Sequence, residues 1–250
     1  MNPLWIALST LTLIPVSVAD PTAADLKRSV VFYPFVGALL GFLLFLLHLI
    51  PVGHDLQALV ILVAWVLLTG AFHLDGLGDS LDGWFGGRNP QERLKIMKTA
   101  DLGTYGMVGI TLTLIAKYVL LDHLLTRDHA DPLMSQDHSS LWMIAIPTAA
   151  RWAVCSACSI GKTPAGNKGL GSKVLGLSTT DFLFATLLTL ILIFPLKWAL
   201  LGVFLITAVI SAGVSELSRL RIGGLTGDGM GAMIELSEVG ILFFACLSHV

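Results

Sequence analysis

Eight apolar runs constrain this chain more than any other feature, falling at roughly 3–19, 34–52, 57–73, 105–125, 141–160, 181–194, 198–217 and 229–248 of its 250 residues. Most approach the ~20 residues that a helix rising about 1.5 Å per residue needs to cross a bilayer. Inside hydrocarbon a backbone must satisfy its own N–H and C=O groups, and the sequence shows no barrel-type alternation of apolar and polar residues. The expected fold is therefore all-α, a polytopic integral membrane helical bundle with about 7–8 membrane segments. Run 181–194 is short, and Pro15 interrupts 3–19, which is expected to be a short span or a re-entrant piece. Hydrophobic residues are 55% of the chain and charged residues 13%, too few charges to coat a soluble domain of this length.

The same residues exclude other classes. The first twenty imitate a signal peptide, with small residues at Ser17 and Ala19, but no basic segment precedes the apolar stretch, so they are expected to stay. Cys155 and Cys158 form a C-x-x-C inside an apolar run and read as small helix-packing residues. A net charge of −2, with Lys and Arg scattered through loops, argues against a nucleic-acid partner. No linker, repeat or composition shift divides the chain, so residues 1–250 read as a single membrane domain in contact with the lipid bilayer.

Loop charges then orient the bundle. One alternate set of loops, at 20–33, 74–104, 161–180 and 218–228, carries eleven Lys and Arg, whereas the set at 53–56, 126–140 and 195–197 carries only Arg127 and Lys197. The richer set belongs in the cytoplasm, which makes this a multi-pass protein of the cell (inner) membrane. Trp5, Trp142 and Trp198 lie near expected span ends, where indoles anchor at the interface.

Two glycine-rich acidic segments fall on that cytoplasmic side. The third run leads into FHLDGLGDSLDGWFGGR at 72–88, and a helix continuing through it carries Asp75, Asp79 and Asp82 on one face. Like charges crowded at a membrane boundary call for neutralisation, for which hard divalent cations with oxygen ligands are suited. The glycines of this stretch suggest close approach of a ligand to the backbone. The second segment, GGLTGDGMGAMIELSE at 223–238, opens the last run with Asp228, Glu235 and Glu238. Thr226 and Gly227 stand at a helix N-terminus, a natural phosphate site, although no P-loop lysine follows. The two segments hold six of the chain's 17 acidic residues, which makes solvated helix caps a poor explanation. The expected active-site segments are 72–106 and 218–238, and the expected metal ligands are Asp75, Asp79, Asp82, Asp228 and Glu235.

Between the clusters, Arg88, Arg93 and Lys98 are candidates for phosphate contact, beside the alternative of ordinary positive-inside residues. Lys117 and Arg151 lie within apolar runs, where an ionisable residue faces the protein interior and meets a partner; Arg151 is a further phosphate candidate, and Lys117 has the alternative of snorkelling. His73 begins the first acidic segment, as a catalytic candidate or a simple hydrogen-bonding neighbour.

Several of these stretches resemble the cobalamin synthase family, the adenosylcobinamide-GDP ribazoletransferases. The likeness is carried by HLDGLGDSLDG at 73–83, the Arg93–Met97 run with D-x-G-T-x-G at 101–106, and GGLTGDGMGAMIELSE at 223–238. FYPFVGALLG at 32–41, Arg151-Trp152 and Gly-Leu-Gly at 169–171 add to it. The resemblance implies a membrane transferase that joins adenosylcobinamide-GDP to α-ribazole or its 5′-phosphate, releases GMP and uses Mg²⁺. It further implies Asp82, His73 or Glu235 as the group that removes the acceptor proton. Asp79-x-x-Asp82-Gly83 also echoes the CDP-alcohol phosphotransferases, by mechanism only. A phospholipid enzyme of that type and a cation-coupled transporter are the competing readings, and self-association as a homo-oligomer is left open.

Overall fold

The computed structural model describes residues 2–130, 138–164, 166 and 169–248, and among these every regular element is a helix. In chain order they are α1 (Pro3–Leu11), α2 (Ala23–Ser29), α3 (Tyr33–His48), α4 (His54–Leu68), α5 (Phe72–Gly86), α6 (Pro90–Ile96), α7 (Thr104–Ala130), α8 (His138–Ile160), α9 (Leu170–Val174), α10 (Thr179–Ile193), α11 (Ala199–Ile222) and α12 (Gly227–Ser248). Lys168, residues 131–137 and the side chain of Arg127, all part of the loop-charge comparison, lie outside the described residues.

Six of these stretches are long and apolar enough to cross a membrane: Ala23–His48, Thr104–Thr126, Leu141–Ile160, Thr179–Leu196, Ala199–Ile222 and Gly227–Ser248. A seventh is reached if α4 and α5, bent 81° to each other, count as one broken span. The first apolar run falls short of a span. Asn2 caps α1 and Pro3 opens it, but the helix ends at Leu11, and an extended stretch follows with the Leu13 N–H bonded to the Leu68 carbonyl at 2.9 Å. Run 181–194, short by itself, qualifies once its flanking residues join the helix.

The third run does not continue straight into the acidic segment. Gly70 and Ala71 both take positive φ, +61° and 57°, which ends α4 and restarts the chain as α5 in a new direction. The three aspartates still share one helix, but it is a separate helix angled across the end of α4.

Peripheral helices carry exposed apolar stripes, such as Leu183, Leu187 and Ile191 on α10 and Leu201, Leu205 and Val209 on α11. Four-residue spacing puts each set on one face, as expected for helices that meet lipid and not water. Most of α8 and α12 is instead buried, at the centre of the bundle. Two apolar cores lie along them: one joins the second half of α8 and the first half of α12 to α1 and α2, the other joins their opposite halves to α4 and α7.

Helices approach most closely where glycine removes a side chain. On α3, Gly37 and Gly41 lie against α8 around Pro147, and a Cβ at Gly41 would stand 2.5 Å from the Met143 carbonyl oxygen. This Gly-x-x-x-Gly pair lets two backbones touch, the packing mode that substitutes in lipid for a hydrophobic driving force. Replacing Gly41 with Val is expected to cost more than the ~1–3 kcal/mol of ordinary overpacking, because backbone offers no side chain that can swing aside. A thermal melt in detergent followed by size-exclusion chromatography reads the loss; a melt matching the unmodified protein would show the contact to be soft.

Trp142 departs from its expected interfacial place. It is buried, edge-on to the Phe244 ring at 6.1 Å, while Trp5 and Trp198 are exposed. Cys155 and Cys158 are buried thiols within α8, in keeping with their reading as packing residues.

Candidate functional site

The two acidic segments meet where α5 crosses the first turns of α12. A Cβ on Gly76 would fall 2.9 Å from the Asp228 carbonyl oxygen, and one on Gly231 would fall 3.2 Å from the His73 carbonyl oxygen. This approach brings Asp228 beside Asp75, and half-buried Asp79 into the fields of Asp75, Asp228 and Asp82. Asp75 is exposed and Asp228 intermediate, so the cluster opens outward. The glycines expected to admit a ligand are spent on packing instead: Gly76 faces the α12 backbone, Gly78 faces Ile110 and Leu102, and Gly83 faces Met97.

Asp82 has a different setting from its neighbours. It is buried, and its two carboxylate oxygens accept the N–H groups of Gly103 at 2.7 Å and Gly106 at 2.9 Å. Those donors belong to the start of α7, so Asp82 caps a neighbouring helix from α5. Asp82→Ala leaves both N–H groups unpaired and is expected to lower stability by about 1–3 kcal/mol, with Asp82→Asn retaining part of the cap. Equal thermal melts for both variants and the unmodified protein would remove this role.

Glu235 and Arg151, expected at the metal and at substrate phosphate, belong to a buried ion network on α7, α8 and α12. Glu235 accepts from Lys117 Nζ at 2.7 Å, Lys117 also bonds Glu238, and Glu238 in turn pairs with Arg151. Arg151 Nη2 lies 3.4 Å from His73 Nδ1. All five side chains are buried. They occupy the level where the two apolar cores meet on α8 and α12. The periodicity explains the separation, since His73 points about 200° around α5 from Asp75 and therefore inward. Lys117 does not snorkel; it lies 4.8 Å from the centre of the Trp65 ring, within its own ion network.

The basic candidates divide similarly. Arg93 braces α6 to α11, donating from Nε to the Gly87 carbonyl at 2.9 Å and from Nη1 to the Arg221 carbonyl at 3.1 Å. Arg88 and Lys98 are exposed. Thr226 is buried and its hydroxyl accepts the Gly229 N–H at 3.1 Å, capping α12, while Gly227 is exposed at the first position of that helix. Among the described residues no three His, Cys, Asp or Glu side chains converge into a metal cage on their own.

Two features escaped sequence reasoning. Arg221, at the end of α11, lies over the Phe85 ring at 5.7 Å; its position two residues before the Gly-Gly of the second motif was the available signal. A cleft of about 150 Å³ lies behind the start of α12, walled by Leu11, Leu26 and Tyr33 from the N-terminal helices, Val154 from α8, Val174 from α9 and Met230 from α12. Segments so far apart in sequence leave no local pattern. Trp84, near the end of α5, is a core residue.

Comparison with known proteins follows the same residues. The family model described as cobalamin-5-phosphate synthase matches residues 3–246. An adenosylcobinamide-GDP ribazoletransferase of Acinetobacter baumannii is 35% identical, with all of this chain aligned to 98% of the relative. Proteins of the same name from Pseudomonas syringae and Pseudomonas entomophila are 34% and 36% identical, over 99% and 97% of this chain and 100% and 97% of theirs. No solved structure matches the chain.

Proposed function

The chain belongs to the cobalamin-5-phosphate synthase family, and from that premise we propose that it joins adenosylcobinamide-GDP to α-ribazole or its 5′-phosphate, releasing GMP and forming adenosylcobalamin or its 5′-phosphate. The observation that carries this reading is the meeting of two carboxylate-bearing, glycine-rich segments at the α5–α12 crossing.

The donor set fits Mg²⁺. Asp75, Asp79 and Asp228 offer hard oxygens, and among the described residues none of them has a basic side chain in salt-bridge range. Magnesium keeps several waters and takes one or two carboxylates together with substrate phosphates, so a protein cage is not required. When bound there it would offset charge on the pyrophosphate and on the departing GMP.

The remaining chemistry is done by the chain. Arg88 and Lys98 are exposed bases available to phosphate, and the α12 N-terminus at Thr226 and Gly227 offers backbone N–H groups to phosphate oxygens. The acceptor hydroxyl attacks the phosphorus next to cobinamide; as that P–O bond forms, the bond to the GMP oxygen breaks and GMP leaves with the electron pair. The hydroxyl proton passes to a carboxylate of the cluster. Asp82 acts as a positioning residue through Gly103 and Gly106. Loop charges support a site facing the cytoplasm from the cell inner membrane. The CDP-alcohol and transporter readings lose ground to full-length relatives that share the ribazoletransferase name.

Purified protein in detergent, given adenosylcobinamide-GDP and α-ribazole, is expected to yield GMP and adenosylcobalamin by mass spectrometry. EDTA should stop the reaction and Mg²⁺ restore it. Absence of corrinoid product under any divalent ion would defeat the assignment, whereas turnover unaffected by EDTA would defeat only the metal.

A further inference from the structure

We propose that the cleft walled by Leu26, Tyr33, Val154, Val174 and Met230 is the seat of the acceptor's heteroaromatic base, an inference that rests on the transferase reading above. The cleft holds about 150 Å³ of fillable space and opens on one side, comparable to a cavity that takes up a single benzene ring. It is far too small for a corrin macrocycle with its side chains.

The lining decides between the two remaining aromatic groups of the reaction. Guanine carries donors and acceptors around its edge, and burying them without partners costs several kcal/mol. Apart from the glycines, only Thr10, Tyr33 and His73 bring polar atoms to this wall, and the Thr10 hydroxyl is already bonded to the Ile6 carbonyl at 2.7 Å. A benzimidazole linked to ribose keeps one free ring nitrogen and otherwise presents hydrocarbon, which the apolar wall accepts.

Position supplies the second argument. Gly227 and Gly231 of α12 line the cleft, and Asp228 follows Gly227 directly. Gly171 of α9 packs against Gly227 and closes one side. A nucleoside with its base in the cleft therefore has its sugar at the start of α12, where the carboxylate cluster lies. The N-terminal helices α1 and α2, which supply Thr10, Leu11 and Leu26, thereby acquire a specific part in acceptor recognition.

Thr10 is exposed at the rim and suits a blocking substitution. Thr10→Trp, with Val174→Phe as an independent narrowing from α9, is expected to raise the KM for α-ribazole by about tenfold or more while leaving that for adenosylcobinamide-GDP within about twofold. Equilibrium binding of radiolabelled α-ribazole to detergent-purified protein, without the second substrate, should weaken in parallel. Thr10→Phe replaces either variant that does not elute as a monodisperse peak. Unchanged α-ribazole binding in folded variants, or equal rises in both KM values, would overturn the base site. If the unmodified protein makes no cobalamin at all, it is the transferase reading that falls.

Discussion

Glu238→Ala is expected to be among the most damaging single changes in this protein, although Glu238 lies outside the carboxylate cluster. Its carboxylate bonds both Lys117 and Arg151, and Glu235 is the only other carboxylate among the residues of that network. Removing it leaves two buried cations sharing one anion. Breaking a buried ion pair from one side costs about 3–5 kcal/mol, a large part of the total stability of an ordinary domain. The expected readout is loss of the monodisperse peak in detergent, or a sharply lowered melting temperature, with residual activity falling in step with the folded fraction. The paired variant Arg151→Met with Glu238→Met should recover much of the loss, because it removes both charges and leaves the Lys117–Glu235 bond intact. A double variant as unstable as the sum of its parts would show that the network does not act as a charge-balanced unit.

Asn at Asp75 or at Asp228 should behave in the opposite way. Each exchange removes one negative charge from a cluster in which Asp75, Asp79, Asp82 and Asp228 repel one another. Thermal stability in the absence of substrate is therefore expected to stay level or rise. Turnover, by contrast, should fall by about 10²–10⁴, corresponding to the several kcal/mol that a metal ion contributes to stabilising charge in phosphoryl transfer. The combination of an intact or improved melt with lost activity separates this site from the buried network, where activity and stability fall together. Full activity in both folded variants would remove these residues from the metal site, and loss of fold would place them with Glu238 instead.

The contrast between these sites bears on what a sequence can reveal. Spacings of three and four residues placed Asp75, Asp79 and Asp82 on one face of a helix; they share α5, with Asp75 exposed and Asp82 buried against the start of α7. A bare charge in an apolar run is costly, so Arg151 was expected to face inward and find a partner, and Lys117 either to do so or to snorkel; both face inward and find partners. Which partners they find was not legible: Lys117 and Glu235 are 118 residues apart, and Arg151 and Glu238 are 87 apart. Glu235 and Glu238 had seemed to belong with Asp228 because they share its helix. The turns of α12 carry them down into the bundle, away from the open end where Asp228 sits. Trp142 shows the same limit, since nearness to a span end suggested an interfacial anchor, whereas its burial depends on Phe244 from another helix.

The sequence by itself determined the apolar, helical character of the chain, the approximate spans, the uneven sharing of charge between two sets of loops and the two acidic segments. Each of these follows from local length, periodicity and charge, which every stretch carries independently of its neighbours. Tertiary structure alone decided the bend between α4 and α5, the capping of α7 by Asp82, the division of nine ionisable groups into an aspartate cluster and a buried ion network, and the apolar cleft beside them. Those features depend on which helices touch, and in this bundle that is settled by backbone contacts at glycines whose neighbours lie far away along the chain.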